Sequence, residues 1–274
     1  MIINHNMMSM NAHRSMGVNA GGMSKSVEKL STGQRINRAA DDAAGLYISE
    51  KMRSQVRGLT QASRNAQDGI SAVQTAEGAL DEVHAMLQRM RELTVQAGND
   101  TNQDEDRKAI KAEIAQLGSE IDDVAKKTQF NKQTLLDGTF KSKKLQVGAN
   151  KGQTLGIDIV TMGGKAIGIG EGGLSVVVSS NAKVSQSLEK IDAAIAKVSE
   201  QRSLLGAVQN RLEHTIKNLD NAAENTQAAE SRIRDTDMAK EMSKFTKDNI
   251  LTQASQAMLA QANQLPQQVL QLLR

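Results

Sequence analysis

The sequence predicts a mainly α fold: a long antiparallel helical coiled-coil rod, a small β-hairpin region at about 138–180, and terminal helices that pair. Three observations predict it. Five stretches repeat apolar residues at alternating steps of three and four, the spacing of a coiled-coil seam. Pro266 is the only proline in 274 residues, so little interrupts a helix. Aromatics are nearly absent, at one Tyr, three Phe and no Trp. Those side chains supply the largest buried areas in globular cores and line ligand pockets, so a wide core and a substrate cleft are both disfavoured.

The first seam is sparse: Met16, Ala20, Met23, Val27, Leu30. The second is strong, with Val73, Ala76, Leu80, Val83, Leu87 and Met90, and Leu93 beside it. Gly98-Asn99 closes that helix, because Gly takes the left-handed cap at little cost. Thr101-Asn102-Gln103-Asp104 opens the next helix with capping-box spacing, and its seam is Ile110, Ile114, Leu117, Ile121, Val124. The short connection makes these two helices antiparallel neighbours.

Between Asp137 and Ser180 glycine becomes frequent and period-two runs appear, in Lys144-Leu145-Gln146-Val147 and from Leu155 to Val160. The β-branched Leu174-Ser175-Val176-Val177-Val178 reads as a further strand. Helix returns at Ser179-Ser180-Asn181, with Val184, Leu188, Ile191, Ile195 and Val198, then past a polar Arg202, Leu205, Leu212, Ile216 and Leu219. About 50 helical residues span about 75 Å, which suits a rod. The last seam is Leu251, Ala254, Met258, Ala262, Leu265, Val269, Leu272. The expected organisation is a terminal coiled-coil domain of residues 1–44 plus 235–274 and a helical rod of 45–234 with its β region.

The difference between seams carries a functional expectation. Leu, Ile and Val of the central helices each stabilise by about 1.5–3 kcal/mol when fully buried. The ends lean on Ala, Met, Ser and Gln, which offset less of the ordering entropy of about 1–2 kcal/mol per residue. The termini are expected to order fully only when other subunits surround them.

Chemical motifs fare poorly. Gly168-Ile169-Gly170-Glu171-Gly172-Gly173 matches G-x-G-x-x-G in form, but a strand-like run follows where a phosphate cradle needs a helix. Asp100-Thr101-Asn102-Gln103-Asp104 starts like a calcium loop, yet Glu105 and Lys111 occupy the positions of the turn glycine and the bidentate acid. His5, His13, His84 and His214 lack metal-ligand spacing. The neighbouring acids Asp41-Asp42 read as turn or cap residues rather than an acid/base pair. Asn99-Asp100-Thr101 fits the glycosylation pattern, one common by chance. No catalytic, metal or cofactor site is expected. The absence of Cys excludes thiolate chemistry and disulfides, and a net charge of +3 without stacking aromatics argues against nucleic acid. No apolar run approaches the about 20 residues of a membrane span. The start, Met1-Ile2-Ile3-Asn4-His5, lacks the pattern of a cleavable signal.

The run from Leu30 to Leu46, Leu-Ser-Thr-Gly-Gln-Arg-Ile-Asn-Arg-Ala-Ala-Asp-Asp-Ala-Ala-Gly-Leu, resembles the N-terminal signature of bacterial flagellin. Gln88-Arg89-Met90-Arg91-Glu92-Leu93, Gln129-Phe130-Asn131 and Ala260-Gln261-Ala262-Asn263-Gln264-Leu265-Pro266 are similarly placed. The resemblance covers about 1–140 and 181–274 and implies a short form without large outer domains. It implies a structural subunit that polymerises into the helical filament used for motility, its terminal helices forming the inner core. It further implies export, with the N-terminus uncut, through the flagellar type III apparatus to an extracellular filament, or a periplasmic one in a spirochaete. Expected partners are copies of itself, an export chaperone, a cap protein, the hook–filament junction protein and the animal Toll-like receptor 5. The receptor motif falls on Arg89, Leu93 and Glu113, with Thr94 where many relatives have Ala. A hook–filament junction protein and, from another class, a cytoplasmic signalling coiled coil stand as alternatives.

Overall fold

A computed structural model describes residues 6–170, 172, 176–177 and 181–272, without the side chains of 181–182 and 265–272. The chain is mainly α. Its elements are α1 (Met7–Thr32), α2 (Ala43–Ala97), α3 (Asp104–Lys127), β1 (Gln129–Phe130), β2 (Gln133–Thr134), β3 (Lys143–Gln146), β4 (Thr154–Ile157), α4 (Gly164–Ile167), α5 (Asn181–Arg234) and α6 (Met238–Leu272). They fall into two compact units, Met1–Gln55 with Asn225–Arg274, and Val56–Glu224. Both α2 and α5 contribute to each.

In the second unit the apolar faces of α2, α3 and α5 enclose one core. Val73, Ala76, Leu80, Val83, Leu87 and Met90 are all fully buried, joined by Ile110, Ile114 and Ile121 from α3 and Ile191, Ala194, Val198 and Leu205 from α5. Polar pairs along the helices fix their register. Arg91 meets Asp192 at 2.8 Å, Asp81 meets Arg202 at 2.9 Å, and the Ser63 hydroxyl donates to Asp220 at 3.0 Å. Each step down α2 is matched by a step up α5, so the two run antiparallel. Gln201 rather than Arg202 takes the inward position, and its Nε2 donates to the Asp158 carbonyl at 3.3 Å.

The connection between α2 and α3 differs in detail from the expected cap. Gly98 closes α2 with its N–H on the Thr94 and Val95 carbonyls. The N-cap of α3 is Gln103, two residues beyond Thr101, and Asp106 accepts the Gln103 N–H at 3.1 Å. Three acids in the first turn, Asp104, Glu105 and Asp106, sit at the positive end of the helix dipole, which makes this start the favoured one.

The β region holds the expected hairpin: β3 pairs antiparallel with β4, Leu145 opposite Leu155 and Lys143 opposite Ile157. A second, unforeseen hairpin joins β1 and β2 through a two-residue turn in which Asn131 and Lys132 both take positive φ, 48° and 62°. That is the type I′ geometry that suits the twist of flanking strands, and it normally asks for Gly at the second position. Lys132→Gly should therefore raise stability, by up to about 1 kcal/mol after the entropy of glycine is allowed for. A denaturant midpoint that falls in this variant would contradict the strain.

The strand expected at 174–178 is corrected where it can be seen. Leu174, Ser175 and Val178 lie outside the described residues. Val176 is buried, and the Val177 N–H and carbonyl are both met by the Ser187 hydroxyl on α5, at 2.9 and 3.0 Å, so a serine takes the place of a partner strand.

In the first unit α1 and α6 lie against each other antiparallel. The Asn6 amide reaches the Ala262 carbonyl at 2.7 Å near one end, and the Ser26 hydroxyl reaches Glu241 at 2.6 Å near the other. Where α1 and α5 stop, the backbones clip together: Arg35 N–H donates to the Arg234 carbonyl at 2.7 Å and Thr236 N–H to the Gly33 carbonyl at 3.0 Å. Asp41 and Asp42 perform the turn and cap duty read from the sequence. Asp41 accepts the N–H groups of Arg38 (2.9 Å) and Asn37 (3.1 Å), and Asp42 caps α2 through the Gly45 N–H at 2.8 Å.

The two backbone N–H groups, Arg38 first, hold the Asp41 carboxyl below its ordinary value of 3.8. A carboxyl depressed in the fold lends its stabilisation above the unfolded value and loses it as pH falls through the lower folded one. The Asn37 and Arg38 amide resonances should therefore titrate together with a midpoint below 3.8. A midpoint at or above that value in an NMR titration would contradict the assignment.

Candidate assembly surface

The face that α1 turns to α6 mixes small and polar residues with larger apolar ones. Ser9, Ala12, Met16, Asn19, Met23, Ser26 and Leu30 recur at alternating steps of three and four, all half-buried or buried. They meet Glu241, Phe245, Asp248, Thr252, Ser255, Leu259 and Ala262 on α6, a second such series. Several of the contacts are hydrophilic. Ser9 Oγ lies 2.9 Å from Asn263, Asn19 donates to Ser255 at 3.4 Å, and a Cβ added to Gly22 would stand 2.8 Å from the Asp248 carboxylate. Ser26 and Ala262 alone among the described residues of the two helices are fully buried.

The residues read as the terminal assembly seam divide, within one chain, into inward and exposed positions. Met16, Met23 and Leu30 face α6, and Ala262 faces α1. Ala20, Val27, Leu251, Ala254 and Met258 are each one residue away from an inward position and are exposed. One residue is a rotation of about 100° on a helix, enough to carry a side chain off the seam. The side chains of Leu265, Val269 and Leu272 lie outside the described residues.

The pair sets serine, asparagine and acid side chains alongside Met16, Met23, Leu30, Phe245 and Leu259 at its inward positions, and leaves other large apolar side chains exposed. Met7, Met8, Met10, Val18 and Val27 on α1 are exposed, as are Met238, Met242, Ile250, Leu251 and Met258 on α6; Val18 reaches 69% and Ile250 60%. By contrast, among the described residues between 56 and 224 the exposed large apolar side chains are Val95, Val160 and Leu204. The exposed apolar residues of α1 and α6 are therefore the candidates for contact with another molecule. Spacing alone missed Asn19, Ser26, Glu241 and Ser255; a repeat of small residues at the same period was the available signal.

In the second unit Arg89, Leu93 and Glu113 come together, though not as three exposed groups. Arg89 binds the Glu113 carboxylate through Nη2 (3.0 Å) and Nε (3.2 Å), and Glu92 through Nη1 at 3.3 Å. Glu113 first, then Glu92, raises the guanidinium above its already high ordinary pKa. Leu93 is 2% exposed and belongs to the core, so the chain itself covers the apolar member of the trio. Thr94 beside it is buried, its hydroxyl on the Met90 carbonyl at 2.7 Å.

The glycine-rich motif is a turn. Gly168 caps α4 with φ 101°, and Gly170 and Gly172 also take positive φ. The Gly164 and Gly172 N–H groups donate to the two oxygens of Asp122, at 2.8 and 3.0 Å, so the chain's own carboxylate occupies the donors a phosphate would need. Asp100 pairs with Arg107 at 3.2 Å, and no group of three His, Cys, Asp or Glu among the described residues could hold a metal. No helix among them is long and apolar enough to cross a membrane.

Comparison with known proteins bears on the same two regions. Residues 3–141 match the family model of the bacterial flagellin N-terminal helical region, and 188–273 that of the C-terminal helical region. The chain is 61% identical to a flagellin of Halalkalibacterium halodurans over 274 residues and 53% identical to a flagellin of Bacillus subtilis over 304, covering all of both chains in each case. It is 49% identical, over the full length of both, to flagellin FlaB2 of Treponema pallidum. Among solved structures, a Bacillus cereus flagellin aligns over 61% of this chain and 94% of its own, with TM-score 0.51 and 32% identity.

Proposed function

We propose, from the premise that the chain belongs to the bacterial flagellins and is a non-enzymatic structural subunit of the flagellar filament, that the outward apolar faces of α1 and α6 are where one copy joins the next. The carrying observation is that the paired terminal helices, whose inward positions mix polar residues with Met16, Met23, Leu30, Phe245 and Leu259, still leave Val18, Val27, Ile250, Leu251 and Met258 exposed. An intrachain pair of that kind leaves apolar surface in solvent, which neighbouring copies cover. A face complementary to a different face of the next copy, in an arrangement that does not close, yields an open helical polymer. Met- and Ala-rich surfaces pack closely and adaptably, which suits small sliding differences between neighbours.

Truncation tests this directly. A chain lacking 251–274 should stay soluble and keep the circular dichroism of the 56–224 unit, yet fail to form filaments in electron micrographs. Filaments from the truncated chain at the wild-type concentration would refute the assignment.

Export through the flagellar type III apparatus, an export chaperone and a cap protein belong to the same reading. So does location in the flagellar filament, external or, in a spirochaete, periplasmic. Recognition of the monomer by Toll-like receptor 5 is proposed through the Arg89–Glu113 pair, with Leu93 bracing α2 from beneath. Arg89→Ala should then reduce receptor signalling without lowering the melting temperature. Unchanged signalling would remove Arg89 from the site. The cytoplasmic signalling alternative is set aside by family membership.

A further inference from the structure

We propose that the exposed methionines of the terminal helices are an oxidisable modification site, with hydrogen peroxide as the oxidant, and that their sulfoxides hold the subunit out of the polymer. The proposal rests on the reading that these faces are buried between copies.

Sulfur is distributed unevenly. There are thirteen methionines and no cysteine, so thioethers are the only sulfur in the chain. Met7, Met8, Met10, Met238, Met242 and Met258 are 48–62% exposed, and all lie on α1 or α6. In the 56–224 unit Met90 is fully buried, Met162 is 4% exposed, and Met86 is partly buried against the same core. A small diffusing oxidant therefore meets the terminal helices first. Met8 and Met258 also line a cavity of about 160 Å³ together with Ala12, Gln261 and Ala262. An oxygen added there takes up part of that space and makes its wall polar.

The chemistry balances. A sulfur lone pair attacks one peroxide oxygen, the S–O bond forms as the O–O bond breaks, and the second oxygen leaves as water. The sulfur loses two electrons and the peroxide gains them. The reverse step takes two thiols of a sulfoxide reductase, which become a disulfide while the oxygen leaves as water. A sulfoxide is a strong acceptor, and burying it without a donor is unfavourable. A single buried sulfoxide is expected to raise the concentration needed for assembly about tenfold, the factor that 1.4 kcal/mol represents.

Purified subunits are treated with hydrogen peroxide, the sulfoxides are located by mass spectrometry, and assembly is followed by sedimentation. The expected result is oxidation at the six terminal positions ahead of Met90 and Met162, and an assembly concentration raised at least tenfold. Methionine sulfoxide reductases should restore assembly without any mutation. A variant with all six replaced by Leu, which keeps volume and apolarity, should assemble and ignore peroxide. Oxidised subunits that assemble at the untreated concentration would overturn the proposal, as would a six-Leu variant still sensitive to peroxide. Preformed filaments separate the two failures. Equal oxidation of the six in filament and subunit would reject the burial reading itself, whereas protection in the filament with normal assembly of oxidised subunits rejects only the oxidative control.

Discussion

Leu251→Lys combined with Met258→Lys should abolish filament formation while leaving the folded subunit intact. Both side chains are exposed in the isolated chain and lie outside the inward positions of α6 there, Thr252, Ser255 and Leu259. The subunit should therefore keep its helix content and melting temperature. On the proposed assembly reading, the same positions are buried between copies in the polymer. Losing two large apolar side chains removes about 1.5–3 kcal/mol each, and placing two ammonium groups there adds a desolvation penalty. Each 1.4 kcal/mol is a factor of about ten in an equilibrium constant, so the concentration needed for assembly should rise by about 100-fold or more. Sedimentation of matched wild-type and variant samples checks this. Equal pelleting would mean that this face of α6 stays in solvent.

Leu87→Ala carries the largest expected effect on folding. Leu87 is fully buried in the core that α2, α3 and α5 share, with Ile114 and Ile191 in the same cluster. That cluster is aliphatic apart from Phe130 and Phe140. Removing three carbons from its fully buried interior should cost about 2–5 kcal/mol. That is a large share of the about 5–15 kcal/mol that holds a domain together, and the melting temperature should fall by about 5–15 °C. Thermal unfolding followed by circular dichroism provides the check; a shift below about 2 °C would show that the core can reorganise around the gap.

These two variants mark the boundary of what the sequence makes legible. The run Val73–Met90 could be read because every inward position carries Leu, Val, Met or Ala, and each is fully buried. The β3–β4 hairpin was legible for a related reason, the alternation around Leu145 and Leu155. The terminal seam was not. Apolar spacing selects the most apolar helical stripe, and on α1 and α6 that stripe is partly the outside. Ser26 and Glu241, which meet at 2.6 Å, carry no hydrophobic signal from either side. The β1–β2 hairpin escaped because its turn, Asn131-Lys132, lacks the glycine that announces such turns. Leu93 shows the converse limit. A motif sets it beside Arg89 and Glu113, yet only the packing reveals that it is 2% exposed.

The absence of cysteine allows a direct test of the proposed assembly face, because a single introduced thiol has no competitor. Val27→Cys on α1 and Leu251→Cys on α6 each replace an exposed side chain that lies off the intrachain seam. The rate of maleimide labelling is measured for each variant as dispersed subunit and as sedimented filament. Rapid labelling of the subunit with strong protection in the filament is the predicted result at both positions. Equal labelling rates in the two states would contradict the claim that these outward faces are what one copy offers the next.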